Sequence, residues 1–354
     1  MNNPDKNSEK NTRRQFIEHA VVGASLVGLG SGTALLADTP SAPVAERALG
    51  KEFVYDVSPL VKVDPELIRY EEETSIQTGV KELRSVAIAP DQRVYVAGDQ
   101  NVQIFGMKGE AMGKFDLADR PRCLSINEDR FYKQRLYVGM TRHIEVFDLD
   151  GTRLAKWESL GENAVVTSIA ASKNDVFVAD AGNRVIVHFD LSGKKLGLIG
   201  KKNPAKDILG FVVPSPYFEI NVGEDGLLWA ANPARHRLEA YTFDGEFKTA
   251  WGETNNAVQG FCGCCNPIHF TRMAGGQFVT SEKGLPRVKV YSPEGQLQCV
   301  VAAPDSFPAL LKNPRIAKPC MSLAVDARGR ILLADANTCT VRIFSLKPSS
   351  NKKA

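Results

Sequence analysis

Three cysteines crowd one ten-residue stretch, Gly260-Phe261-Cys262-Gly263-Cys264-Cys265-Asn266-Pro267-Ile268-His269. Thiolates beside an imidazole are ligands for zinc, monovalent copper or an iron–sulfur centre. Cys262, Cys264, Cys265 and His269 have usable spacing for such a site, and Cys320 can add a ligand from another part of the chain. Two other readings of the same residues stand beside the metal one. Seven cysteines allow three structural disulfides with one thiol left over. Cys262 and Cys265 also have the spacing of a redox pair. The stretch does not match the covalent haem attachment motif, because Asn266 stands where that motif needs histidine.

A second group is polar and dense. Asn232, Arg235, His236, Arg237 and Glu239 lie close together, as do Glu282, Lys283 and Arg287. With Tyr217 they form an expected anion-binding set, since guanidinium groups grip carboxylates and phosphates in bidentate fashion. Their alternative role is to hold turn backbone through hydrogen bonds. No nucleophile elbow, phosphate-binding glycine loop or His-Glu-x-x-His helix occurs. A net charge of +3 with no basic stripe speaks against nucleic acid as a partner.

The elements that must position these residues are short strands in a recurring unit. Six of them begin near Val94, Leu136, Val176, Leu228, Gln277 and Ile331, separated by 42, 40, 52, 49 and 54 residues. Each follows a shorter apolar strand and precedes a third strand ending in an aromatic: Phe105, Phe147, Phe189, Tyr241, Tyr291 and Phe344. A polar residue and glycine come next at Gly109, Gly151, Gly193, Gly245 and Gly295, the chemistry of a tight hairpin leading to a fourth strand. This period predicts an all-β, six-bladed β-propeller. The last repeat lacks its fourth strand. A segment near Glu52–Tyr55 or Leu67–Tyr70 is expected to supply it and close the ring.

Strands of a blade alternate in direction. The crossover from an outer strand to the next inner strand therefore shares a face with the turn between second and third strands. That places the cysteine loop beside residues 232–237 and 282–287, with the inner-strand starts Arg84, Arg122, Cys123, Tyr217, His269 and Cys320 reaching the same channel mouth.

Val176-Phe177-Val178-Ala179-Asp180-Ala181-Gly182-Asn183-Arg184 and Ile331-Leu332-Leu333-Ala334-Asp335-Ala336-Asn337 resemble NHL repeats of the six-bladed propeller family. Repeats four and five depart from that turn, with Asn232-Pro233-Ala234-Arg235 and Ser281-Glu282-Lys283-Gly284. Thr12-Arg13-Arg14-Gln15-Phe16-Ile17, before a weakly apolar run to Ala37, resembles a twin-arginine export signal. Six glycines and serines from Gly23 to Gly32 make that run a poor membrane anchor.

With its Phe-Cys-Gly-Cys-Cys-Asn-Pro loop the chain is similar to exported bacterial NHL proteins. The expected organisation is a signal at 1–37, a linker at 38–51, a propeller at 52–346 and a flexible tail at 347–354. A periplasmic or secreted location follows, with the twin-arginine translocase as partner during export. The expected role is a binding or accessory protein for a metal centre, an anionic ligand or a protein partner. A metal-dependent lyase or hydrolase at the channel mouth is the alternative. Resemblance to NHL-type zinc lyases implies several channel-facing histidines, and only His269 and His236 qualify.

Overall fold

The computed structural model describes residues 58–127, 134–203, 209–312 and 321–348. The expected signal and linker, the alternative closing segment Glu52–Tyr55, Cys320 and the tail beyond residue 348 lie outside the described residues.

Strand β1 (Tyr70–Gln77) comes first and belongs to the last blade. Blade 1 is β2 (Leu83–Ile88), β3 (Val94–Gly98), β4 (Asn101–Phe105) and β5 (Ala111–Asp116). Blade 2 is β6 (Cys123–Ile126), β7 (Leu136–Gly139), β8 (Ile144–Phe147) and β9 (Arg153–Lys156). Blade 3 is β10 (Val166–Ala171), β11 (Asp175–Asp180), β12 (Val185–Asp190) and β13 (Lys195–Ile199). Blade 4 is β14 (Ile220–Val222), β15 (Leu228–Asn232), β16 (Arg237–Tyr241) and β17 (Phe247–Trp251). Blade 5 is β18 (His269–Arg272), β19 (Phe278–Glu282), β20 (Arg287–Tyr291) and β21 (Leu297–Ala302). Blade 6 is β22 (Met321–Val325), β23 (Ile331–Asp335) and β24 (Thr340–Leu346), completed by β1.

Every sheet is a four-stranded antiparallel meander, and each inner strand packs on the next until β22 meets β2. The molecule is a six-bladed β-propeller. Six apolar clusters form its core, each lying between two neighbouring blades. This explains why second strands such as Val94–Gly98 are unbroken apolar runs: both faces of the sheet are covered. Outer strands such as β5 and β9 are exposed on most residues, whereas β21 is mostly buried.

The hairpin glycines carry two constraints at once. Gly295 sits at φ +84, and a Cβ there would lie 2.5 Å from the Trp251 ring of the preceding blade. Gly193 has the same relation to Trp157. The turn of one blade is therefore seated on the outer-strand aromatic of its neighbour.

Hydroxyls stitch the inner strands together. Ser85 Oγ accepts from Leu124 N at 3.1 Å, Ser168 Oγ accepts from Ile220 N at 3.2 Å, and Ser322 Oγ accepts from Val86 N at 3.3 Å.

Closure follows the expected plan, but the closing strand starts later than expected. β1 pairs antiparallel with β24 from Tyr70 opposite Leu346 to Gln77 opposite Thr340. Leu67–Tyr70 contributes only Tyr70, because Ile68 bridges Val300 on blade 5 instead. The strand itself hides from an apolar scan. It opens Tyr70-Glu71-Glu72-Glu73 and buries only Tyr70 and Ile76. Arg342 grips Glu72 from β24 at 2.7 Å.

Ile76 is fully buried among Val341, Ile343 and the blade 1 strands, so it is the apolar pin of the closure. Ile76→Ala is expected to cost about 2–5 kcal/mol in denaturant unfolding. Glu71→Ala on the exposed face of the same strand is expected to stay within about 0.5 kcal/mol.

Candidate functional site

The last residue of the second strand recurs as a loop holder. Asp180 Oδ1 accepts from Val165 N and Asn232 Oδ1 accepts from Val212 N, both at 2.9 Å. Asp99, one residue beyond β3, does the same for Glu82 N at 2.9 Å. Each fixes the crossover that enters its own blade. Asp180 and Asp335 also cap their turns, accepting from Asn183 N at 3.1 Å and Asn337 N at 3.0 Å.

Blade 5 breaks the rule, and the cysteine loop is the result. Glu282 holds the equivalent position, but its carboxylate turns inward to Arg287 Nη2 at 2.9 Å and Lys289 Nζ at 2.7 Å. All three side chains are buried, none more than 1% exposed. One carboxylate faces two cations, so the cations need further acceptors.

The loop backbone supplies these acceptors. Lys289 donates to Val258 O at 2.9 Å and Gly260 O at 2.8 Å, and Arg287 reaches Ala257 O at 3.4 Å and Gly260 O at 3.5 Å. Tyr291 OH donates to Gln259 O at 3.0 Å. The rings of Phe261 and Tyr291 lie 4.7 and 5.1 Å from the Lys289 ammonium. Burial lowers Lys289 to about 8, with Glu282 opposing that shift. Burial also raises Cys262, whose Sγ is 3.5 Å from Arg287 Nη2.

With Glu282 occupied, Asn266 anchors the loop instead. Its Oδ1 accepts from Lys283 N at 2.9 Å, and its Nδ2 donates to Lys283 O at 2.9 Å and Cys262 O at 2.5 Å. Blade 4 grips the other flank through His236, which sits in a left-handed turn at φ 53. Its Nε2 donates to Gly263 O at 2.6 Å, which makes Nδ1 the acceptor for the Thr254 hydroxyl at 2.8 Å. Below it, the buried Glu239 carboxylate collects Asn232 at 2.9 Å, Arg237 at 2.7 Å and Tyr241 at 2.6 Å. Glu282 and Arg287 are thus part of the loop's foundation, Arg237 pairs with Glu239, and Asn232 holds the crossover that carries Tyr217.

The lip above is different. Cys264 is exposed, while Cys265 is 2% exposed. Lys283 stands half-buried with its ammonium 4.6 Å from the Tyr217 ring centre. Tyr217 in turn packs edge-on to His269, with ring centres 6.3 Å apart.

On the pore wall, His269 Nδ1 bonds Glu219 Oε2 at 2.5 Å, and the other Glu219 oxygen accepts from Ser168. These three residues hold one register tier. Ser168 pairs with Ala179, Glu219 bonds Ala231 and His269 pairs with Ser281, each partner lying one residue before the end of its second strand. Ser85, Leu124 and Ser322 complete the tier. Glu219 and Ser168 are missed by motif reading, yet repeat alignment to His269 would have found them.

The structure brings Cys264, Cys265, Lys283, Tyr217 and His269 to one lip, on the face expected. Cys262 lies beneath them beside Arg287, in other surroundings from Cys265. Cys123 departs from expectation: it is buried between blades 2 and 3, against Val166 and Ile169, not at the mouth. The three-bridge disulfide scheme is not met among the described residues, where six cysteines are free. Cys123, Cys299 and Cys339 lie in separate blades. Among the described residues no three His, Cys, Asp or Glu side chains converge in a metal-holding group.

Comparison with solved structures finds the same fold in distant company. A streptogramin B lyase is 11% identical with a TM-score of 0.54, over 80% of this chain and all of that one. Virginiamycin B lyase from Staphylococcus aureus is 12% identical with a TM-score of 0.52, over 79% of this chain and 99% of that one. A protein of unknown function from Bacteroides thetaiotaomicron is 13% identical with a TM-score of 0.56, over 79% of this chain and 72% of that one. No family model and no curated protein matches the chain. At these identities the likeness is one of fold.

Two measurements test the buried charge cluster. Glu282→Gln leaves two buried cations without their counter-charge and is expected to cost about 3–5 kcal/mol in denaturant unfolding. The second uses pH. The native state releases the Lys289 proton near 8 and the unfolded chain near 10.5, so this group adds stability as pH rises through that window. The wild-type melting temperature should gain on that of Lys289→Met between about pH 7.5 and 9.5, below ordinary tyrosine ionisation. A constant difference would contradict the assignment.

Proposed function

We propose that this chain is an exported propeller of the NHL-repeat type that works as a binding protein, taking a small anionic ligand at the lip formed by blades 3 to 5. One observation carries the reading. The Lys283 ammonium stands half-buried over the Tyr217 ring, and no carboxylate pairs with it among the described residues. A ring face attracts a cation without neutralising it, so Lys283 keeps its charge for an incoming anion. Arg235 lies on the corner of blade 4, half-buried and likewise without a carboxylate among the described residues, and adds to the positive field. Export is supported by Arg13-Arg14 and the Gly- and Ser-rich run that follows.

The pore wall favours a second reading, a lyase or hydrolase acting on that anion. The Glu219 carboxylate fixes Nδ1 of His269 as the donor, which leaves Nε2 with its lone pair. An imidazole so oriented can take a proton from a ligand held by Lys283. The lyases among the structural neighbours fit this reading by fold alone.

Isothermal titration of the mature protein with di- and tricarboxylates and inorganic phosphate tests the first reading. At least one of these probes is expected to bind, and Lys283→Ala is expected to weaken it about tenfold or more, roughly 1.4 kcal/mol. Equal affinity in the variant, or no binding across the panel, removes the reading. Turnover of the bound anion that is lost in His269→Ala would favour the enzyme. Metal analysis of the same preparation tests a metal centre separately.

A further inference from the structure

The two thiols at the lip differ in a way that the ligand reading does not use. Cys264 faces solvent, and Cys265, its neighbour in the chain, is buried. Both flanks are pinned: His236 holds Gly263 O on one side, and Asn266 clamps Lys283 N and O on the other. Between those anchors only Cys264 and Cys265 remain unclamped. Cys262 is occupied below by Arg287, Cys299 lies on the outer strand of blade 5, and Cys123 and Cys339 belong to blades 2 and 6.

We propose that Cys264 and Cys265 are a redox-active vicinal pair that closes into a disulfide, with a small-molecule or protein disulfide as oxidant. The Cys264 thiolate attacks one sulfur of the external disulfide, forming a mixed disulfide and releasing one thiolate. The Cys265 thiolate then attacks Cys264 Sγ, closing the ring and releasing the second thiol. Two electrons pass to the external disulfide, and the two protons lost by the cysteines end on its thiols.

Exposure sets the order of events. Burial raises the Cys265 thiol, while Ser215 and Lys283 pull it the other way. Cys264 is therefore the sulfur that meets the oxidant, and Cys265 resolves the intermediate.

Chain geometry sets the character of the bond. Adjacent Cα atoms are about 3.8 Å apart, closer than the roughly 4.4–6.8 Å that disulfides usually span. A vicinal bridge is therefore strained and easily reduced, which suits a switch and not a structural staple. Closing it stiffens the lip one residue away from Asn266, the anchor of Lys283.

The test needs no ligand, so its failure is separate from failure of the binding reading. Mature protein is equilibrated with reduced and oxidised glutathione, alkylated, and examined by intact-mass and peptide mass spectrometry. Oxidation should remove two hydrogens and cut alkylation of Cys264 and Cys265 at least tenfold, with full reversal by dithiothreitol. Cys262→Ser should close normally. Cys265→Ser should stall as a glutathione adduct on Cys264, and Cys264→Ser should lose the bridge. A bridge that needs Cys262 or Cys320, or a glutathione adduct on the wild type that never resolves, overturns the proposal.

Discussion

The buried cluster of Glu282, Arg287 and Lys289 is the interaction on which the cysteine loop depends. A single carboxylate cannot satisfy two cations that are both out of water. An unpaired buried charge costs several kcal/mol, so the remaining donors must find oxygens nearby. The carbonyls of Ala257, Val258 and Gly260 are those oxygens. The loop is folded over the cluster because its backbone completes the solvation of the cations. Its thiols ride on a course set by charge.

The same strand position is solved differently around the ring. Two residues before the aromatic of the third strand stand Gln103, Glu145, Val187, Glu239, Lys289 and Arg342. Blade 4 puts an acid there and an amide, Asn232, at the corner. Blade 5 puts a cation there and an acid, Glu282, at the corner. The polarity reverses between adjacent blades, and the crossover joining them is the one that carries the cysteines. His236 belongs to the blade 4 arrangement and Asn266 compensates for that of blade 5. The loop is therefore held from both sides, by a blade 4 that keeps the common corner bond through Asn232 and a blade 5 that abandons it.

Much of this was legible in the sequence because it repeats. Periodic aromatics, hairpin glycines and alternating strand direction were enough to place the blades, the shared face and the closure. What escaped has physical causes. Charged residues ordinarily mark solvated faces, so nothing in Glu282, Arg287 and Lys289 signals full burial until their mutual pairing is seen. β1 escaped because an outer strand needs few apolar residues, and Tyr70 with Ile76 suffice. Glu219 escapes because repeat spacing starts the inner strand at Tyr217, whereas β14 begins at Ile220. Cys123 stands at the start of β6, the mouth end of an inner strand, but its side chain turns to the neighbouring blade, filling space that Gly139 leaves open.

Floor and lip are one mechanical unit through Asn266. Its amide donates down to Cys262 O, and its two polar atoms bracket the Lys283 backbone. Cys262 is in turn within reach of Arg287, and Lys283 carries the charge that the lip presents. Near neutral pH the cluster holds one more positive charge than negative, and it loses that excess as Lys289 titrates around 8. A neutral Lys289 amine still donates, but its carbonyl bonds are weaker without the charge. The loop that covers a fully buried lysine is in this way tied to the seat of a half-exposed one, through three hydrogen bonds made by a single asparagine.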